Sequence, residues 1–251
     1  MYRTLSAIGL ALALSACATP PPARTAVDYA PLLSAPTRPA DDRTDDAARK
    51  PDQVLSFIGL NGGETVLELE AGAGYYTELL AGAVGPSGKV YMQNPPEFDT
   101  PKIASRLENG RLPNVQKVMS HFDDLSAIPS GSVDKVTWIL GPHELYYTPK
   151  GSSGLGDPAK SYADIARVLK PGGQFIAIDH AAAAGAPTTT GGTIHRIDPA
   201  VVMASAKAAG LTFVEKSDIL ANPADDHTKM VFDPSIRRHT DRFILRFRKP
   251  A

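Results

Sequence analysis

The residues best suited to chemistry in this 251-residue chain stand where short apolar runs give way to loops. The run 65–69 passes into Glu70-Ala71-Gly72-Ala73-Gly74. Two glycines permit close backbone approach, and a helix beginning directly afterwards offers unpaired N–H groups, so this turn is suited to hold a ligand. Taken alone, a plain tight turn accounts for it equally well. The run 132–140 passes into Gly141-Pro142-His143-Glu144-Leu145-Tyr146-Tyr147. An imidazole titrates near neutrality, which suits His143 to general-base work, and Tyr146 or Tyr147 suits an aromatic substrate wall. A loop-capping histidine is the bland alternative. Asp179-His180 closes another run, and His195-Arg196 follows the small-residue loop 181–193, which is placed to cover a pocket. A guanidinium such as Arg196 holds a carboxylate or phosphate through two hydrogen bonds, although Asp198-Pro199 beside it reads as a helix start that these residues equally serve. Asp225-Asp226-His227, with Asp179, His180 or His195, offers oxygen and nitrogen donors, but no tight ligand spacing joins them and no metal is expected.

These residues need elements to bring them together. Apolar spacing predicts a helix over 46–58 that begins or kinks at Pro51, then a strand at 65–69 and a helix over 75–83. Strands follow at 89–93, 115–119 and 132–140, with a helix through Ile103 and Leu107 between the first two. Asp157-Pro158 places a cap and a first-turn proline at the start of a helix that breaks at Lys170-Pro171-Gly172-Gly173. A strand at 174–179, a helix over 199–208 and strands at 212–216 and 241–248 complete the chain. Strands alternating with helices imply a doubly wound, mostly parallel α/β sheet covered on both faces. The last two strands, with no clear helix between them, imply an antiparallel hairpin at its edge. In such sheets ligands bind beyond the carboxyl ends of the strands, so every candidate above falls at one edge.

The succession VLELEAGAGYYTELLA at 66–81, GSVDKVTWIL at 131–140 and ADIARVLKPGGQFIAIDH at 163–180 resembles class I S-adenosylmethionine-dependent methyltransferases. Together with His195-Arg196-Ile197-Asp198, ILANPADD at 219–226 and TDRF at 240–243, it looks closest to a bacterial group of predicted methyltransferase-like proteins, over 46–250. The resemblance implies a seven-stranded Rossmann-like sheet with an antiparallel last strand and S-adenosylmethionine as cofactor. It also implies that Glu68, Gly72 and Gly74 frame the methionine part. Three positions depart from the pattern. Glu70 replaces the first glycine of the turn. Asn94 stands where an acid would hold the ribose, although its amide can still bond a hydroxyl. His121-Phe122-Asp123 replaces the usual acid facing the adenine, leaving Asp123 as the nearest carboxylate. Glu70 near the cofactor's carboxylate would repel it, and near its sulfonium or amine would help. His143 is then the provisional base, and Tyr146, His180, His195 and Arg196 the substrate contacts. A non-enzymatic ligand-binding module, or a different enzyme using the same crevice, remains open on these residues.

The N-terminus carries a separate address. Arg3 precedes a mainly apolar run, 6–16, too short for a spanning helix, which needs roughly 20 residues. Leu14-Ser15-Ala16-Cys17 resembles a lipoprotein signal, which implies cleavage after residue 16 and a lipid anchor on Cys17, the only cysteine. Ala18 in place of an acid implies the periplasmic face of the outer membrane. The proline-rich stretch 17–45 reads as a tether and 46–251 as one domain. A net charge of −1 without a basic block gives no footing for nucleic acid, so the expected partners are the membrane and a small-molecule or envelope substrate.

Overall fold

The computed structural model describes residues 27–251. The signal segment and Cys17 lie outside the described residues. In chain order the elements are α1 (Ala30–Ser34), α2 (Ala40–Arg49), α3 (Pro51–Ile58), β1 (Thr65–Leu69), α4 (Tyr75–Val84), β2 (Lys89–Asn94), α5 (Pro101–Leu107), β3 (Val115–Met119) and β4 (Val133–Ile139). The second half holds α6 (Pro158–Val168), β5 (Leu169–His180), α7 (Thr190–Ile194), α8 (Pro199–Ala208), β6 (Thr212–Ser217) and β7 (Arg242–Arg248). The seven strands form one sheet in the order β3-β2-β1-β4-β5-β7-β6. Neighbours from β3 to β5 pair in parallel, and β7 runs antiparallel between β5 and β6. The expected doubly wound sheet with an antiparallel last strand is therefore the observed one.

Alternating side chains of each strand feed two cores. Leu67, Trp138, Phe175 and Phe247 pack under α6 and α8, while Val66, Ile176, Ile178 and Ile244 pack under α3 and α4. Burial on both faces explains why the central strands read as near-continuous apolar runs. The two helix starts marked by Asp-Pro form as expected: Asp157 accepts from Lys160 N at 2.8 Å and Asp198 from Ala200 N at 2.8 Å.

The N-terminal boundary differs from expectation. Residues 27–45 do not all serve as a tether. Tyr29 is buried in the second core, where its hydroxyl accepts from Leu60 N at 3.2 Å, and α2 lies on the domain. The helix expected over 46–58 is two helices, separated at Lys50, which adopts the left-handed conformation (φ 44°) so that Pro51 can open α3. Among the described residues no helix is long and apolar enough to cross a membrane.

Candidate functional site

The strand order reverses between β1 and β4, and the crevice beyond their carboxyl ends begins at the glycine turn. After Leu69 the chain enters the left-handed region at Glu70 (φ 51°), an uncommon conformation for a side-chain-bearing residue. Its surroundings hold it there. Glu70 N donates to Gln93 Oε1 at 3.0 Å, Ala71 N to Gln93 O at 2.9 Å, and the Trp138 indole N–H to Glu70 Oε2 at 3.3 Å. Gly74 (φ 84°) opens α4, and a Cβ there would stand 3.1 Å from Arg106 and from Met92. Only glycine meets both conditions.

A cavity of about 460 Å³ covers this turn, lined among others by Glu68, Glu70, Gly72, Tyr75, Leu140 and Arg49. Its lining mixes the acids Asp41, Asp42, Asp45, Glu68 and Glu70 with the cations Arg49, Lys102 and Arg238. Burial is the largest influence on Glu68 and pushes its pKa up to about 8, against the Thr77 hydroxyl bond and the charges of Arg106 and Arg49. Burial, then the charge of Glu144, also raises Glu70 well above the ordinary carboxylate range. Arg49 comes from the end of α2 and stacks on Tyr75 with its guanidinium 4.5 Å from the ring centre. Nothing in the apolar pattern of the sequence pointed to Arg49. Its only signal is a basic residue in the last turn of a helix just before a proline.

The far side of the crevice differs from expectation. Asn94 does not face outward for a ribose: it is fully buried, and its Oδ1 accepts from Gly72 N at 2.8 Å. Gln93 spans from the Glu70 amide to Ser120 O, to which it donates at 2.6 Å. Asp123 lies away from the turn, 3.7 Å from the ammonium of Lys160. Neither Asn94 nor Asp123 is among the residues lining the cavity.

Glu70 links this cavity to a second group of polar residues. Gly141 follows β4, and a Cβ there would overlap the Trp138 indole and the Glu70 carboxylate at 2.1–2.3 Å. The chain therefore passes tightly beside Glu70 into the 3-10 turn Pro142–Tyr146. There the His143 backbone N–H donates to Asp179 Oδ2 at 2.7 Å, and its ring Nδ1 lies 2.8 Å from Asp179 Oδ1. Its other ring nitrogen, Nε2, is 3.3 Å from Glu144 Oε1 and 3.2 Å from His195 Nδ1. His195 is delivered by α7, whose Gly191 and Gly192 pack against the backbone of the turn, and it sits in the left-handed conformation (φ 53°).

Burial disfavours charge on His143, but the Asp179 carboxylate and then Glu144 outweigh it and hold its pKa up at about 10. A proton held this firmly by Asp179 and Glu144 works against the expected general-base role.

The remaining expected contacts divide. His195 joins His143. His180 is a neighbour, its ring centre 6.2 Å from that of His143, but its Nδ1 lies 2.7 Å from the Thr240 hydroxyl, and burial pushes its pKa well below the ordinary value. Tyr146 is half-buried against α7 and the core. Arg196 is structural and not a substrate contact. Fully buried, it pairs with Asp225 at 2.9 Å and donates to Ala181 O and Lys229 O, each at 2.9 Å. His227 pairs with Asp241 at 3.0 Å, so the 225–227 segment supplies no donors to His195 or His180.

The architecture has counterparts among known structures. An S-adenosylmethionine-dependent methyltransferase from Aquifex aeolicus superposes with a TM-score of 0.58 at 22% identity, covering 84% of this chain and 98% of that one. The 4+2 cyclase SpnF superposes with a TM-score of 0.57 at 19% identity, covering 84% and 82%. The chain has the class I S-adenosylmethionine-dependent methyltransferase fold. By sequence, it is 31% identical over 127 residues to the ubiquinone/menaquinone biosynthesis C-methyltransferase of Hydrogenovibrio crunogenus, covering 50% of this chain and 46% of the relative. It is 32% identical over 136 residues to an uncharacterized transposon protein of Streptomyces fradiae, covering 53% and 35%. The chain thus spans less than half the length of these relatives. It matches no protein-family model.

Proposed function

We propose that the protein is an S-adenosylmethionine-dependent methyltransferase, anchored through a lipidated Cys17 at the periplasmic face of the bacterial outer membrane, acting on a small molecule or an envelope component. The observation that carries this reading is the cavity over the glycine turn, lined by Glu68, Glu70 and Arg49 in a methyltransferase fold. Such a pocket suits a zwitterion. The residues fit the amino-acid end of S-adenosylmethionine: the carboxyl oxygens of Glu68 and Glu70, kept neutral by burial, would accept from its ammonium, and Arg49 would donate to its carboxylate. When bound, the cofactor supplies an electrophilic methyl group on a sulfonium. The chain's own contribution is positioning. Trp138 fixes the Glu70 carboxyl and Tyr75 fixes Arg49.

A second reading follows from the far side of the crevice, where Asn94 and Gln93 are committed to the glycine turn. A smaller amino-acid ligand without a nucleoside would fit the same cavity, in a binding module or a different enzyme. Calorimetric titration with S-adenosylmethionine, S-adenosylhomocysteine and free methionine separates the two. The methyltransferase reading expects micromolar binding of the first two, much weaker binding of methionine, and at least a roughly tenfold loss (about 1.4 kcal/mol) in Arg49→Met. No heat and no thermal shift at millimolar S-adenosylmethionine would sink it. Methionine binding as tightly as the nucleoside compounds would favour the second reading.

A further inference from the structure

We propose that His143 Nε2, Glu144 Oε1 and His195 Nδ1 form a mononuclear site for a divalent transition metal of the zinc type, with a fourth position left for water or an oxygen of the substrate. This inference does not depend on the cofactor reading above.

The three donor atoms stand 3.2, 3.3 and 3.5 Å apart. Donors about 2.05 Å from a tetrahedral ion lie about 3.3 Å from one another, whereas octahedral donors at that distance lie about 2.9 Å apart. The triangle therefore has the dimensions of one face of a tetrahedral zinc site before any side chain moves. Two imidazoles and one carboxylate are also the donor set of open catalytic zinc sites.

The surroundings match as well. Asp179, fully buried, receives His143 Nδ1 at 2.8 Å and the His143 backbone N–H at 2.7 Å, so it fixes the ring with Nε2 aimed at the other donors. Carboxylates placed behind ligating histidines serve this purpose in metal proteins. Glu144 is more than nine-tenths buried, and its Oε2 has no hydrogen-bond partner among the described residues. A carboxylate left in that state is costly unless a cation completes its surroundings. Tyr147 and Phe232 flank the His195 ring, each with ring centres 5.1 Å away, and form an apolar wall. The His195 side chain keeps 13% exposure, which leaves a way in. An ion here occupies the seat of the ring proton on Nε2.

His195 adopts a left-handed backbone that glycine accepts without strain, so His195→Gly removes a ligand without a backbone penalty. The test uses the purified full chain, stripped with a chelator and titrated with cobalt(II) chloride, followed by visible absorption and by metal analysis after desalting. The expected result is one ion per chain with the intense ligand-field bands of a tetrahedral complex. His195→Gly and Glu144→Gln should abolish both, with far-UV circular dichroism unchanged. Asp179→Asn should weaken binding roughly 10- to 100-fold. His121→Ala, outside the site, should bind like the parent. Weak octahedral bands, less than half an equivalent retained, or undiminished binding in folded His195→Gly would each overturn the proposal.

Discussion

Glu68 sits on the α4 side of β1 with its carboxyl accepting the Thr77 hydroxyl at 2.5 Å, and burial raises its pKa from 4.5 to about 8. Because the folded protein holds this proton more firmly than the unfolded chain, the stability it contributes is complete below pH 4.5 and is lost as the pH rises through 8. Glu68→Gln keeps an acceptor for Thr77 and carries no charge. Its thermal midpoint should match the parent near pH 4 and exceed it near pH 9; an equal offset at both values would mean that Glu68 is not buried as a neutral acid. Residue types were legible at this scale, but their partners were not. Arg196 and His195 are adjacent in sequence and equally suited to substrate on paper. One is sealed against Asp225, and the other reaches His143 across 52 positions. The triad of His143, Glu144 and His195 has no motif spacing, because only the meeting of α7 with the turn after β4 assembles it.

At the scale of elements, the sheet was legible because strands buried on both faces must be apolar, and because prolines, glycines and capping aspartates mark their ends. Helix α2 was the exception. Its sequence, ADDRTDDAAR, buries no residue, so no apolar stripe announces that it docks. Ion pairs hold it instead. Arg106, buried on α5, donates to Asp42 of α2 at 2.7 Å, to Glu78 of α4 at 2.8 Å and to Ala73 O of the glycine turn at 2.9 Å. Such long-range pairs leave no local trace in a sequence. One guanidinium thus sets the distance between the helix that supplies Arg49 and the turn that supplies Glu70. A lysine keeps the charge but reaches only one of these acceptors well. Arg106→Lys should therefore speed hydrogen exchange in 40–49 and weaken S-adenosylmethionine binding, while exchange in β1, β4 and β5 stays slow. Uniformly faster exchange would show that Arg106 supports the whole domain and not the α2 contact.

At the scale of the molecule, docking of the N-terminal arm shortens the proposed tether. Tyr29 is already in the core, so an anchor on Cys17 leaves only residues 18–26, nine in all, to join the described structure. Nine extended residues reach at most about 30 Å. Under the proposed anchor the crevice would be confined to the layer next to the membrane, a geometry that suits an acceptor held in or on the envelope. The two described core clusters are built from residues within 27–247, so the proposed anchor is expected to be separable from the domain. Cys17→Ser should move the protein from the membrane pellet to the soluble fraction of lysed cells, with its unfolding midpoint and its cobalt stoichiometry unchanged. Inserting about 20 Gly/Ser residues after Ala18 should keep it in the pellet and lengthen its reach by tens of ångströms. If the acceptor is membrane-bound, that variant changes turnover on vesicles and not on a soluble acceptor. A Cys17→Ser chain that still sediments with membranes would place the attachment elsewhere on the molecule, and would remove the short tether as the reason for the crevice to work near a surface.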